Sequence, residues 1–147
     1  MAIVGFGFTK LEVERKKPLG GKINIRNNIA IKDVEEHNFS AQSPQMLKER
    51  KGLRFLFEFV SNYEPDAAVI RLKGEVIFMA DKKKVDEVLK SWKKDKKLPQ
   101  DVLPVVLNYA LNRAHVEAIA LSRDVALPPP IQMPRIKVDA GEKNYIG

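Results

Sequence analysis

The sequence contains no cysteine. That absence removes disulfide frameworks, thiol nucleophiles and every cysteine-ligated metal site from consideration. Histidine is scarce, with two among 147 residues, at His37 and His115. His115-Val116-Glu117 matches the His-x-Glu half of a zinc deaminase signature, but the rest of that signature is cysteine, so the match is void. No apolar run approaches the ~18 residues a membrane span needs. The opening MAIVGFGFTK has no basic stretch ahead of its apolar residues and no cleavage-site pattern, so the expected location is the cytoplasm.

Catalytic patterns are missing as well. Gly5-Phe6-Gly7 precedes a strand pattern and lacks the third glycine and the Lys-Ser ending of a phosphate loop. Asn38-Phe39-Ser40 is a glycosylation sequon by letter only, without meaning unless the chain is secreted. Ser61 and Ser122 have no histidine or acid at a suggestive spacing, and the acidic residues are scattered among lysines. Neither a metal nor a cofactor is expected, and an enzyme is not.

What is present is a globular composition, 44% hydrophobic and 31% charged, at a length that suits one domain spanning residues 1–147. Basic residues outnumber acidic ones 26 to 19, a net charge of +7 with a pI near 9.6. The excess is local: between Asp81 and Lys97 eight lysines face four acids, which places +4 in that stretch. Such a face is the ordinary polar side of an amphipathic helix, or an electrostatic patch for RNA or an acidic protein using Lys82–Lys97. Stacking on bases would need exposed aromatics among the lysines, and Trp92 falls on the apolar stripe instead, so nucleic acid is the lesser partner.

Hydropathy periods order the chain. Residues 6–15 alternate as a strand, with a phase slip near Thr9 that suits a bulge. After the KKPLGG turn, Ile23, Ile25, Ile29 and Ile31 all sit on odd positions, the period of a half-buried strand. Residues 35–51 read as a long connection with a helical turn around Met46. In GLRFLFEFVSN, Phe55, Phe57 and Phe59 share one side while Leu56 and Val60 occupy the other, the mark of a central, covered strand. NYEPDA turns the chain into a second long strand carrying Ala68, Ile70, Leu72, Val76 and Phe78.

From Asp81 the period becomes helical: Val85, Val88, Leu89 and Trp92 form one stripe, with Asp81 as N-cap. A second helix is expected from about Asp101 to Val125, with Pro104 tolerated in its first turn and apolar residues on more than one face. ALPPPIQMPRI then cannot be helix, and residues 136–147 look frayed. The expected fold is α+β: a four-stranded antiparallel sheet with a short and a long C-terminal helix on one face.

Element order and the tail together resemble the SecB export chaperones. Four long antiparallel strands, a short helix and a long helix occur there in the same order, and VIRLKGEVIFMADKKKVDEVLKS is similar to the strand entering the family's short helix. Arg113, Glu117 and Ile119 fall where that family carries an alanine-arginine-glutamate stretch. Leu127, Pro128, Ile131, Met133 and Pro134 follow its series of aliphatic residues closed by proline. The resemblance, over residues 6–136, implies a homotetramer built as a dimer of dimers that holds non-native polypeptides in hydrophobic grooves without ATP. The candidate peptide-binding residues are Phe78, Leu89, Trp92, Leu127, Ile131 and Met133. Typical members are acidic where this chain is basic, and its exposed strand positions (Arg71, Lys73, Glu75) are mixed, so docking to the SecA motor is not expected. Relatives that serve toxin–antitoxin pairs are an equal precedent. A rival is a structural oligomer with no client.

Overall fold

The computed structural model describes residues 2–39 and 50–132. The helical turn expected around Met46 lies outside the described residues, as do Met133, Pro134 and the tail from 136 to 147. Four strands, β1 (Ala2–Arg15), β2 (Asn24–His37), β3 (Arg50–Glu64) and β4 (Ala68–Asp81), precede α1 (Lys82–Asp95) and α2 (Leu103–Asp124). The strands pair antiparallel in the order β1-β4-β3-β2, so β3 and β4 are central and the other two are edges.

The hairpin expected between the phenylalanine-rich strand and its successor is the centre of the sheet, with Phe57 opposite Gly74 and Phe59 opposite Leu72. The chain reaches from one edge to the other through residues 16–23. This connection is held under the hairpin by the Lys16 and Lys17 amides, both donating to the Ala67 carbonyl.

The slip near Thr9 is a register shift between Phe8 and Lys10; the structure adds a second between Ile3 and Gly5. A third, between Ile31 and Asp33, was not legible in the isoleucine spacing. It switches the buried phase of β2 from odd to even positions, and Val34 becomes the core residue there. The strand therefore continues to His37, three residues into the stretch read as connection.

One face of the sheet carries the core. Leu53, Phe55, Phe57 and Phe59 of β3 and Ile70, Leu72, Val76 and Phe78 of β4 are buried beneath the helices. Removing each such side chain from water stabilises the fold by roughly 1.5–3 kcal/mol. Over them α2 lays the stripe Val106, Ala110, Ala114, Ala118 and Ser122, each four residues apart. Small side chains on the helix match large ones on the sheet, which lets α2 approach closely while it crosses all four strands. Gly74 serves the same fit: a Cβ there would lie 2.8 Å from the Phe57 ring and 2.5 Å from the Gly7 carbonyl oxygen.

The other face is not covered by a helix. Leu56 and Val60, read as covered, are half-buried among charged neighbours. Ion pairs cross it from strand to strand: Arg71–Glu12 at 3.3 Å, Lys73–Glu58 at 3.6 Å, and Arg54 with Glu75 at 3.3 Å and Glu35 at 3.7 Å. Each adds ~0–1 kcal/mol, but together they neutralise this face locally.

Candidate functional site

The apolar residues singled out in the sequence are positioned by α1 and by the end of α2. Asp81 caps α1 as expected, its carboxylate accepting from the Lys84 amide at 2.8 Å. The helix then buries Val85, Val88 and Trp92 against the sheet end where Phe78 is fully enclosed. Leu89, one step round the helix, packs half-buried against the same group. The helix ends at Lys96, whose backbone is left-handed (φ 58°) and whose amide donates to the Trp92 carbonyl. The Lys96 ammonium sits 5.4 Å from the centroid of the Trp92 ring. Beneath it the Trp92 indole Nε1 is buried with no hydrogen-bond partner among the described residues.

The linker is folded back on one side of α1: Ser91 Oγ donates to the Lys97 carbonyl at 2.8 Å, and Lys84 pairs with Asp101. That pairing holds the Asp101 carboxyl below its usual range and raises Lys84.

Leu127 and Ile131 lie elsewhere. α2 ends in a Schellman turn, with Leu127 N–H donating to the Ser122 carbonyl at 2.8 Å and Ala126 N–H to Arg123 at 3.2 Å. Ala126 takes the left-handed position (φ 57°) that glycine usually fills. Leu127 is thereby turned into a second apolar cluster containing Phe59, Tyr63, Ala67, Ile70, Leu72, Ala114 and Ala118. The prolines then run along this cluster. Tyr63 Oη donates to the Pro128 carbonyl, and Asn27 Nδ2 donates to Pro130 at 2.8 Å. Pro130 is buried, Ile131 half-buried and Gln132 exposed.

The structure thus brings Phe78, Leu89 and Trp92 together and seats Leu127 in a separate cluster, with Ile131 half-buried four residues further along the tail; Phe8 and Ile29 touch both clusters. Phe78, Trp92 and Leu127 are floor residues, at 0%, 9% and 6% exposure, while Leu89 and Ile131 reach the surface.

Sequence reasoning missed the tail's anchors. Asn27 and Tyr63 bond carbonyls 103 and 65 residues away, and no local pattern announces such partners. It also missed an aromatic group at the β1 edge, where Phe6 stacks on Phe57 at 5.6 Å, meets Tyr109 at 5.7 Å, and lies 4.7 Å beneath the Arg113 guanidinium. The alternation of Phe6 and Phe8 was the available signal. His115 packs on Phe59 at 5.8 Å, and burial holds its imidazole below the usual value. No group of three or more metal-binding side chains occurs among the described residues, and no described helix is long and apolar enough to cross a membrane.

Sheet order, the two C-terminal helices on one face and the element sequence define a SecB-like α+β fold. The Mycobacterium tuberculosis SecB-like chaperone Rv1957, solved in complex with a ChAD peptide from the HigA1 antitoxin, matches 95% of this chain and 92% of its own, with a TM-score of 0.51. Sequence identity over that match is 9%, so the likeness is one of fold. No family model and no curated protein sequence matches the chain.

Proposed function

We propose that this chain is an ATP-independent chaperone that holds non-native polypeptides, working in the cytoplasm as a homo-oligomer arranged as a dimer of dimers. The observation that carries this reading is apolar surface left over once the core is complete. Val105, Tyr109 and Val116 lie along the outer side of α2 at 45%, 36% and 71% exposure, beside Leu11 at 48% and Val4 at 49% on edge strand β1. Tyr109 meets Phe6 on one flank, but Val105 and Val116 stand on the solvent side of a helix whose inner side is already packed, apolar surface that suits a partner rather than a lone chain. A second copy covers that stripe in the proposed assembly. Clients meet Leu89 and Ile131 first, over floor residues Phe78, Trp92 and Leu127. The peptide in the solved SecB-like complex supports a polypeptide segment as the ligand class.

Mechanistically this is passive holding. Extended client segments place alternate apolar side chains on these surfaces, and edge strands β1 and β2 offer backbone pairing. The ion-paired open face gives no acidic surface for a motor, so docking to SecA is not part of the proposal.

The test is light scattering of a denatured client diluted into the protein without nucleotide. Suppression at equimolar oligomer is the expected result; undiminished aggregation of several clients overturns the reading. Solution mass is the companion measurement, and a monomer at micromolar concentration refutes the role given to the α2 stripe.

A further inference from the structure

The geometry points to a client class: we infer that the lysine-lined flank of α1 selects apolar polypeptide segments that carry Asp or Glu. This deepens the holding function above and rests on it.

Charge is distributed very unevenly over the fold. On the sheet, Glu12, Glu35, Glu36, Glu58, Glu64 and Glu75 each have a basic partner within 4 Å. On α1 and its linker the opposite holds. Of the eight lysines between Lys82 and Lys97, Lys84 alone pairs with a carboxylate, through Glu87 and Asp101, among the described residues. More than half of the net positive charge, +4 of +7, therefore stands on one helix and its linker.

It also stands on a particular side of that helix. Lys82, Asp86, Leu89, Lys93 and Lys96 follow at i, i+4, i+7, i+11 and i+14, one row along the cylinder. Leu89, the surface-reaching member of the α1 group, is thus followed by Lys93 and Lys96, and preceded by Asp86 and then Lys82, so three ammonium groups share the row with one carboxylate. The opposite flank is closed by the linker through Ser91 and Lys84, so approach is from the lysine row.

Two further features ask for an acceptor. The Trp92 side chain is nine-tenths buried, its Nε1–H has no partner among the described residues, and Lys96 is held over the same ring by its left-handed cap. Indole and ammonium groups donate only, so a carboxylate complements both. The carbonyls at the α1 C-terminus oppose an anion with about half a negative charge, which Lys93, Lys94, Lys96 and Lys97 outweigh. Nucleic acid is disfavoured because the aromatic side chain here is sunk in the core rather than offered for stacking.

The experiment uses three fluorescent peptides with one shared extended apolar core, flanked by Glu, Gln or Lys. Anisotropy is read for the full chain and for the variant Lys82→Gln/Lys93→Gln/Lys96→Gln, at ionic strengths of about 0.05 and 0.5 M, where screening lengths differ about threefold. The Glu-flanked peptide should bind about tenfold tighter than the Gln-flanked one at low salt, and the Lys-flanked one more weakly still. The gap should shrink at high salt and vanish in the variant, which keeps the affinity for the Gln-flanked peptide. Equal binding of all three, or a gap that survives in the variant, overturns the selectivity and leaves the holding function standing. Failure of every peptide to bind overturns both. Displacement of the Glu-flanked peptide by a single-stranded RNA that binds more tightly assigns the face to nucleic acid and overturns the proposal.

Discussion

Replacing Tyr63 by phenylalanine tests whether the tail is fastened as the structure shows. The ring is fully buried in the second cluster, so the substitution keeps its apolar contacts and removes only the hydroxyl that donates to the Pro128 carbonyl. Loss of one such hydrogen bond costs about 1 kcal/mol, because water can reach the exposed Pro128 and take its place. The same burial pushes the Tyr63 phenol up to about 12. A pKa higher in the folded state means that the folded protein retains a proton the unfolded chain releases. The associated stability is complete below pH 10 and is lost as pH climbs from 10 through 12. Two pKa units correspond to about 2–3 kcal/mol. Urea unfolding of both proteins at pH 8 should therefore show Tyr63→Phe weaker by about 1 kcal/mol. Between pH 10 and 12 the native protein should lose about 2 kcal/mol more than the variant. Lysines also titrate there, but they are common to both chains, so the difference isolates the phenol. Parallel alkaline slopes would show that the phenol is hydrated rather than buried, and equal stability of the two proteins at pH 8 would remove the Pro128 bond and the anchored tail with it.

Other substitutions probe other joints. Ala126→Gly relieves a left-handed alanine and should raise stability by about 0.5–1 kcal/mol in urea titration, the αL penalty less glycine's added entropy. Gly74→Ala forces a Cβ into the Phe57 ring and the Gly7 carbonyl and should cost about 1–3 kcal/mol by the same measurement. His115, whose imidazole is held low by burial, makes the fold lose stability as pH falls below about 6.5, and His115→Gln should flatten that acid limb of a pH–stability curve. Val116→Asp, at a 71% exposed site, should change stability by less than ~0.5 kcal/mol while lowering the solution mass of the assembly.

The sequence made the sheet face of each central strand readable because period-2 alternation and burial coincide there: Phe55, Phe57 and Phe59, then Ile70, Leu72, Val76 and Phe78. The Asp81 cap and the α1 stripe were equally plain, since a helix end and an amphipathic face are local events. What escaped was whatever depends on distant partners. The bulge at Lys32 leaves no composition signal, yet it reassigns the core position to Val34. The order β1-β4-β3-β2 separates two strands that are neighbours in sequence, and nothing in KKPLGG says that the connection crosses the hairpin rather than turning back.

The candidate site divides along the same line. Patterning nominated apolar side chains on α1 and on the tail, but it has no means of placing the two groups relative to each other. That placement is decided by Ala126, Tyr63 and Asn27, three residues with no apolar periodicity of their own. Because the Tyr63 and Asn27 bonds run to backbone carbonyls of a proline segment, the tail's path depends little on which side chains it carries. Ile131 is then free to be chosen for what it meets outside the fold. A chain that needed the tail only to complete its core would place its largest apolar residues where Pro130 is buried; here the isoleucine stands one position further on, half in solvent. Ile131→Ser should therefore leave unfolding within ~0.5 kcal/mol of the native value and weaken client binding measured by anisotropy. A matching loss of stability would return Ile131 to the core and remove the tail from the binding surface.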